Sequence, residues 1–190
     1  IPHHVQGKLV GIKFRTIDGA KLFSQIPGSS IEGLYAADHL DPKTDDVLIL
    51  EGPEDAALAI SHGFNAAAIN AAGCKLGTAD ARRLSKYERI YLLGEQDTAG
   101  EKAMDLAATQ IPSEKVIRVR MPGYKDVGDL WKSNPAAFQE NLKRILRFAR
   151  ASRVQFQFDD LLTESEVRTS GSVELHAVDQ LIPLNSISMF

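Results

Sequence analysis

The sequence predicts an α/β fold, with a roughly four-stranded, mostly parallel sheet flanked by helices and a small β-rich lobe at the amino-terminal end. Two observations lead to this expectation. Four short apolar runs, typical of buried parallel strands, alternate with helical patterns within residues 47–133. Upstream of them, residues 1–46 carry alternating apolar and polar runs separated by turn residues, a pattern typical of hairpins.

Within residues 1–46, the apolar Leu9 and Phe14 stand among basic residues, and the Asp18-Gly19 pair predicts a hairpin turn. Turn-forming residues 41–44 end this segment. We therefore predict that it forms a lobe of its own.

The sheet region comes next, and its strands and helices are predicted from apolar runs and from helix-end signals. The predicted strands cover residues 47–50, 66–69, 90–93 and 116–119. Three helices lie between them: Pro53 marks the start of the first, Thr78 is placed to cap the second, and Pro112 ends the third. One more helix is predicted for residues 134–150, and residues 151–190 are interpreted as a linker and tail.

Composition and charge limit the class of protein. Of the 190 residues, 44% are hydrophobic and 25% are charged, as in an ordinary globular domain. No apolar run reaches the ~18–20 residues that span a bilayer, and a single cysteine, Cys74, excludes an internal disulfide. We expect a cytoplasmic protein, and because the chain begins with Ile1 we expect a piece of a longer one. The net charge of −3 still permits nucleic-acid binding, provided that basic and acidic residues lie in separate areas.

Carboxylates lie in the loops that follow three of the predicted strands. Glu51 follows the first strand, Glu95 and Asp97 follow the third, and Asp126 lies beyond the fourth. Because the carboxyl ends of parallel strands meet at one edge, we expect these acids in one crevice. Hard divalent cations such as Mg²⁺ prefer such oxygen ligands and keep positions open for phosphates. Any one acid is more simply explained as a helix-start residue, as Asp55 is, but three converging strand ends favour a metal site.

Three segments resemble motifs of the Toprim domain of DnaG-type and phage or plasmid primases. The first is the run VLILEGPEDA at residues 47–56. The second is LGEQDTAGEKA at residues 93–103, where the family usually has Asp-x-Asp followed by Ala-Gly. The third is PGYKD at residues 122–126, similar to the Lys-Asp segment of primase-type members. They occur in the family's order, and a weaker similarity extends to the segment upstream of residue 47.

This resemblance implies a catalytic core that joins ribonucleotides into a primer on single-stranded DNA, with Mg²⁺ or Mn²⁺ as cofactor. It gives Glu51 an acid–base or metal role and makes Asp97 catalytic. It also implies that Glu95 and Asp97 bind the divalent cation. Asp126 is expected as a further ligand because its loop converges on the same sheet edge. Glu95 departs from the family pattern, because it stands where aspartate is usual and carries its carboxylate one methylene further out.

Primer synthesis also needs cations that bind triphosphates and template. Lys125 is the first candidate, because it lies in a crevice loop beside Asp126. Arg15 is the second, because it ends an alternating run that resembles the segment upstream of Toprim in primases. The arginines within residues 144–150 are interpreted as a solvated helix face.

Two other functions remain open at this point. One is a Toprim nuclease of the overcoming-lysogenisation type, and the other is a catalytically degenerate Toprim module that binds nucleic acid or a partner protein. In phage and plasmid proteins a primase unit is often followed by a helicase or ATPase. We therefore expect a phosphate-binding loop soon after Phe190, with residues 151–180 as the linker, or alternatively a tail that docks on the sheet domain.

Overall fold

The computed structural model describes residues 1–15, 23–25, 33–69 and 76–159, and the earliest of these form a small antiparallel sheet. Its strands are β1 (Pro2–Val5), β2 (Lys8–Arg15) and β3 (Phe23–Gln25), in the order β1-β2-β3. Both pairs of neighbours run antiparallel. The β-rich amino-terminal lobe expected from the sequence is confirmed.

A second sheet has four parallel strands in the order β5-β4-β6-β7. The strands are β4 (Asp46–Leu50), β5 (Ala66–Ala68), β6 (Arg89–Leu93) and β7 (Val116–Arg118). β4 and β6 pair along their whole length, so that Leu50 lies opposite Leu93. The chain therefore leaves these two strands side by side, and the predicted four-stranded parallel sheet is confirmed.

Within the described residues, five α-helices accompany this sheet. They are α1 (Pro53–Ser61), α2 (Thr78–Leu84), α3 (Thr98–Ala108), α4 (Val127–Ser133) and α5 (Phe138–Asp159). No helix in the described ranges is long and apolar enough to cross a membrane.

The core consists of two clusters, one on each face of the parallel sheet. Val47 and Ile49 of β4 pack with residues of α2 and α3, whereas Leu48 and Leu50 pack with residues of α1, α4 and α5. Alternate residues of a strand point to opposite faces, so a continuous apolar run is buried on both sides. This explains why the strand is apolar at every position from residue 47 to residue 50.

Two helices differ from the sequence prediction. α4 lies where no helix was predicted, because its seven residues include Gly128 and are a weak signal. The N-cap residue defines this helix, since Asp126 Oδ1 accepts a hydrogen bond from the backbone N of Asp129 at 2.7 Å.

Helix α5 continues to Asp159, past the predicted end at residue 150, because residues 151–159 contain no proline or glycine. The rest of the predicted linker, residues 160–190, lies outside the described residues, as do Cys74 and the apolar end of the chain.

Residues before β4 cover the outer edge of the parallel sheet. Tyr35 N donates to the backbone O of Ala68 at 2.8 Å, and Ala68 N donates to Tyr35 O at 3.1 Å. Asp80 of α2 accepts a hydrogen bond from the backbone N of Leu34 at 3.1 Å. This segment therefore occupies the free side of β5.

Candidate active site

Glu51 and Glu95 lie at the carboxyl ends of the neighbouring strands β4 and β6. Glu51 Oε2 accepts a hydrogen bond from the backbone N of Glu95 at 3.1 Å. The side chain that follows one strand is thereby fixed to the backbone that follows the next. The register of β4 and β6 makes this contact possible, because Leu50 and Leu93 end their strands at the same level.

Two glycines allow α3 to approach this contact closely. A Cβ atom added to Gly100 would lie 2.2 Å from the backbone O of Glu95 and 2.8 Å from Glu51 Oε2. A Cβ atom on Gly94 would lie 2.8 Å from both the backbone O of Gly100 and the Cγ of Met104. A side chain at either position would push α3 away from the end of β6, so this site requires glycine for space.

Asp97 is the N-cap of α3. Its Oδ1 accepts hydrogen bonds from the backbone N of Ala99 and of Gly100, both at 2.9 Å. The start of a helix favours a negative charge, which gives one structural reason for an acid here. The same bonds fix the carboxylate of Asp97 close enough to Glu51 for its charge to affect the pKa of Glu51.

Glu51 is half-buried, and its environment disfavours ionisation. Burial raises the pKa of Glu51, and the negative charges of Glu95 and Asp97 raise it further. The hydrogen bond from the backbone of Glu95 and the charge of Lys125 act in the opposite direction. A carboxyl group with a raised pKa is a better proton acceptor, which suits general base chemistry.

Lys125 lies within this group of acids. Its Nζ is 2.8 Å from Glu95 Oε2. The hydrogen bond to Glu95 and the charge of Glu95 raise the pKa of Lys125, with smaller contributions from Asp126 and Asp97. The structure thus places Lys125 beside these acids, with the carboxylate of Glu95 as its partner. Its proposed role in binding phosphates stays a prediction.

Gln96 links the two loops that carry these residues. Its backbone N donates to the backbone O of Lys125 at 2.8 Å. Its side chain donates to the O of Gly94 at 3.0 Å and accepts from the N of Met121 at 3.3 Å. No role was predicted for Gln96 from the sequence. The only feature that pointed to a role was its position between two candidate acids, Glu95 and Asp97.

Asp55 and Asp126 form a second acidic pair on the same edge. Burial and the charge of Asp126 raise the pKa of Asp55 to about 7, although a hydrogen bond from Gly128 opposes this. That bond joins the backbone N of Gly128 to Asp55 Oδ1 at 3.0 Å. The sequence interpretation assigned Asp55 only to the helix start, whereas the structure also places it beside Asp126. Its position in the first turn of α1, right after β4, was the signal for this.

The carboxylates of Glu51, Glu95, Asp97 and Asp126 are chemically suited to bind a hard divalent cation. All of its candidate ligands are carboxylate oxygens. Burial raises the pKa of Glu51 most, and the charges of Glu95 and Asp97 raise it further, as repelling acids do. Among the described residues, no group of three or more His, Cys, Asp or Glu side chains already has the geometry of a metal cage. Mg²⁺ commonly takes one or two protein carboxylates and completes its shell with water and phosphate oxygens. The acidic edge, defined as Glu51, Glu95, Asp97 and Asp126 at the carboxyl ends of the strands, can therefore accommodate it.

A cleft of about 290 Å³ adjoins the acidic edge beside Glu95. Arg118 and Arg120 line it, and each forms an ion pair with an acid of α3. The distances are 3.2 Å for Arg118 with Asp105 and 3.0 Å for Arg120 with Glu101. Cationic groups therefore stand next to the acids, as an anionic substrate would require.

Arg15, the other predicted cation, is the last residue of β2. Its side chain lies outside the described part of the structure. Its proposed contact with nucleotide or template, and the expectation that the amino-terminal lobe forms a wall of the crevice, stay predictions.

Comparison with known proteins agrees with this fold. Residues 48–131 match the family model described as Toprim-like. No curated protein matches the chain. A crystal structure of the Aquifex aeolicus primase, comprising its zinc-binding and RNA polymerase domains, is 27% identical with a TM-score of 0.59. The match covers 77% of this chain and 39% of that one.

Two further structures share the fold. The primase fragment of the bacteriophage T7 primase-helicase protein is 23% identical with a TM-score of 0.54, over 72% of this chain and 57% of that one. A DnaG primase catalytic domain bound to single-stranded DNA is 18% identical with a TM-score of 0.58, over 77% of this chain and 50% of that one. The chain thus spans only part of each of these proteins.

The matched residues run from β4 into α4 and contain Glu51, Glu95, Asp97 and Asp126. They include the second and third motifs of the sequence resemblance and all of the first except Val47. Residues 48–131 are therefore a Toprim-like domain, in a chain whose fold is that of DnaG-type and phage primases.

Proposed function

We propose that this chain is the catalytic core of a primase, which joins ribonucleotides into an RNA primer on single-stranded DNA with Mg²⁺ or Mn²⁺ as cofactor. The observation that carries the proposal is the group of Glu51, Glu95 and Asp97 at the carboxyl edge of a Toprim-like sheet. The similarity to the polymerase-containing Aquifex aeolicus primase supports it.

Glu51 acts as the proton acceptor in this proposal. The attacking hydroxyl of the growing primer loses its proton as its oxygen bonds to the α-phosphorus and pyrophosphate leaves. The raised pKa of Glu51 and its fixed position against the backbone of Glu95 suit this role.

Glu95 and Asp97, with Asp126 on the same edge, would hold the divalent cation. When bound, it would offset the negative charge of the triphosphate and of the transition state. Asp97 supports this assignment because the cap hydrogen bonds fix its orientation. Lys125 and Arg15 are the residues proposed to meet the phosphates of nucleotide or template.

In this function the substrates are single-stranded DNA and ribonucleoside triphosphates, and the site of action is the cytoplasm. A replicative helicase or ATPase is the proposed partner. The fold match to a primase fragment of a primase-helicase protein supports that partner by analogy.

The deciding experiment is primer synthesis on single-stranded DNA with labelled ribonucleotides, in Mg²⁺ and in Mn²⁺. We expect extended RNA products from the unaltered chain and at least a ~100-fold loss in Asp97→Asn. Asp41→Asn is the matched control, because Asp41 also accepts a backbone hydrogen bond, from Lys43 N at 2.9 Å, but precedes β4. Unchanged synthesis in Asp97→Asn would refute the assignment.

A parallel assay with labelled DNA separates the nuclease alternative, since the same acids could activate water for phosphodiester hydrolysis. Metal-dependent cleavage without primer synthesis would favour the nuclease. Absence of both activities together with absence of metal binding in calorimetry would favour the degenerate module.

A further inference from the structure

Lys125 forms an ion pair with Glu95, one of the carboxylates proposed to hold the divalent cation. The distance from Lys125 Nζ to Glu95 Oε2 is 2.8 Å, and the side chains are 44% and 36% exposed, respectively. Water reaches both partners, so the pair is weakened by solvent and can exchange. An ammonium group and a divalent cation on the same carboxylate repel each other, so binding of one disfavours binding of the other.

The backbone around Lys125 is fixed, so any exchange is confined to its side chain. The backbone O of Lys125 accepts from Gln96 N at 2.8 Å, and Gln96 Oε1 accepts from Met121 N at 3.3 Å. Immediately after Lys125, Asp126 caps α4 through its hydrogen bond with Asp129. A lysine side chain has a flexible four-carbon stem, which allows its ammonium to move without the loop.

The side-chain length at position 95 also affects the ion pair between Glu95 and Lys125. A glutamate carries its carboxylate one methylene further from the backbone than an aspartate does. The backbone of Glu95 is held against Glu51, while its longer side chain reaches Lys125. Glu95 thus has a cationic partner supplied by the chain itself.

We propose that Lys125 is an exchangeable counter-cation, which neutralises Glu95 while the acidic edge holds no metal and releases it when a divalent cation binds. The inference rests on the proposed function only in taking the acidic edge to be the metal site. It adds that metal affinity is set by competition with a lysine of the same chain.

Calorimetric titration of the full chain with MnCl₂ tests this exchange. Lys125→Met removes the competitor, so the affinity for Mn²⁺ should rise about two- to fivefold, the range expected for a half-exposed ion pair. Lys132→Met is the matched control, because Lys132 also pairs with an acid, Asp129 at 3.5 Å, on the next helix. We expect no change of affinity in that control.

A double-mutant cycle separates exchange from a general effect of charge. Glu95→Gln should weaken Mn²⁺ binding, and adding Lys125→Met to that background should have no further effect. The same gain in both backgrounds would overturn the proposal, since it would show a long-range effect of the lysine charge. Thermal unfolding of each variant verifies that it is folded.

The outcomes also distinguish this inference from the proposed function. If the unaltered chain binds no divalent cation, the proposed metal dependence fails and the exchange fails with it. If the unaltered chain binds Mn²⁺ but Lys125→Met leaves the affinity unchanged or weaker, the exchange alone is refuted.

Discussion

Asp55 retains a proton in the folded protein at pH values where it would lose the proton in an unfolded chain. Its pKa is about 7 in the structure, against an ordinary value of 3.8. Between these two values the folded state binds more protons than the unfolded state. Stability should therefore fall as the pH rises from about 4 through about 7, the reverse of the usual behaviour of a salt-bridged carboxylate.

Asp55→Asn tests this directly. The amide oxygen of asparagine can still accept the hydrogen bond from Gly128, whereas the buried charge is gone. We expect the free energy of unfolding at pH 8 to rise by on the order of 2 kcal/mol, with little change at pH 4. Urea unfolding with a chelator present measures it.

The control is Asp105→Asn, an exposed acid paired on the surface, which should change stability by less than ~0.5 kcal/mol. A lower stability of Asp55→Asn than of the unaltered chain at pH 8 would contradict the assignment.

Gly100 gives a second prediction at the scale of a residue. Alanine in place of glycine normally stabilises a helix by ~0.5–1 kcal/mol. Here the added Cβ would lie 2.2 Å from the backbone O of Glu95, so Gly100→Ala should instead destabilise the protein by roughly 1–3 kcal/mol. It should also abolish primer synthesis, because Glu51 and Glu95 are displaced. Urea unfolding gives the sign, and a gain in stability would show that α3 can move away without cost.

The N-cap residue of helix α3, Asp97, also belongs to the acidic edge. Asp97→Ala removes both cap hydrogen bonds and should cost about 1 kcal/mol of stability, whereas Asp97→Asn should keep most of it. Both variants should lose primer synthesis. Chemical denaturation measures the stability of both variants, and the primer assay measures their activity. Together they distinguish the loss of the helix cap from the loss of catalysis. Equal destabilisation of the two variants would show that the cap depends on the charge.

Elements with strong periodic signals were predictable from the sequence, and those defined by a single contact were not. The apolar run before Glu51 predicted β4, because only a strand buried on both faces is apolar at every position. α4 was missed because the Asp126 cap, rather than helix propensity, starts it.

The same distinction applies to the candidate site. Glu51, Glu95 and Asp97 could be predicted as one group because parallel strands bring their carboxyl ends together. Gln96 and Asp55 lie next to the predicted group in the sequence, but their contacts depend on loop backbones that the spacing of residues does not define.

At the scale of the whole molecule, neither core cluster includes a residue before Leu34 within the described part of the chain. The amino-terminal strands contact later residues mainly through single side chains and hydrogen bonds. The buried His3 stacks on Tyr35, and Gly7 N donates to Asp38 Oδ2 at 2.9 Å. We therefore predict that residues 33–159 fold without residues 1–32, with a melting temperature lower by several degrees, equivalent to about 1–2 kcal/mol.

The shortened chain should lose primer synthesis, since Arg15 belongs to the deleted lobe. Circular dichroism during heating measures the transition, and a melting curve without cooperativity would contradict the prediction.

The hydrogen bond from the backbone of Glu95 to Glu51 joins residues 44 positions apart, and this separation affects the order of events while the protein is being synthesised. Pairing between distant strands is slow, because a long segment must close before the contact forms. A growing chain that has emerged only as far as α2 carries Glu51 without its neighbours. Chemistry at this edge therefore becomes possible only after β6 has left the ribosome and joined β4.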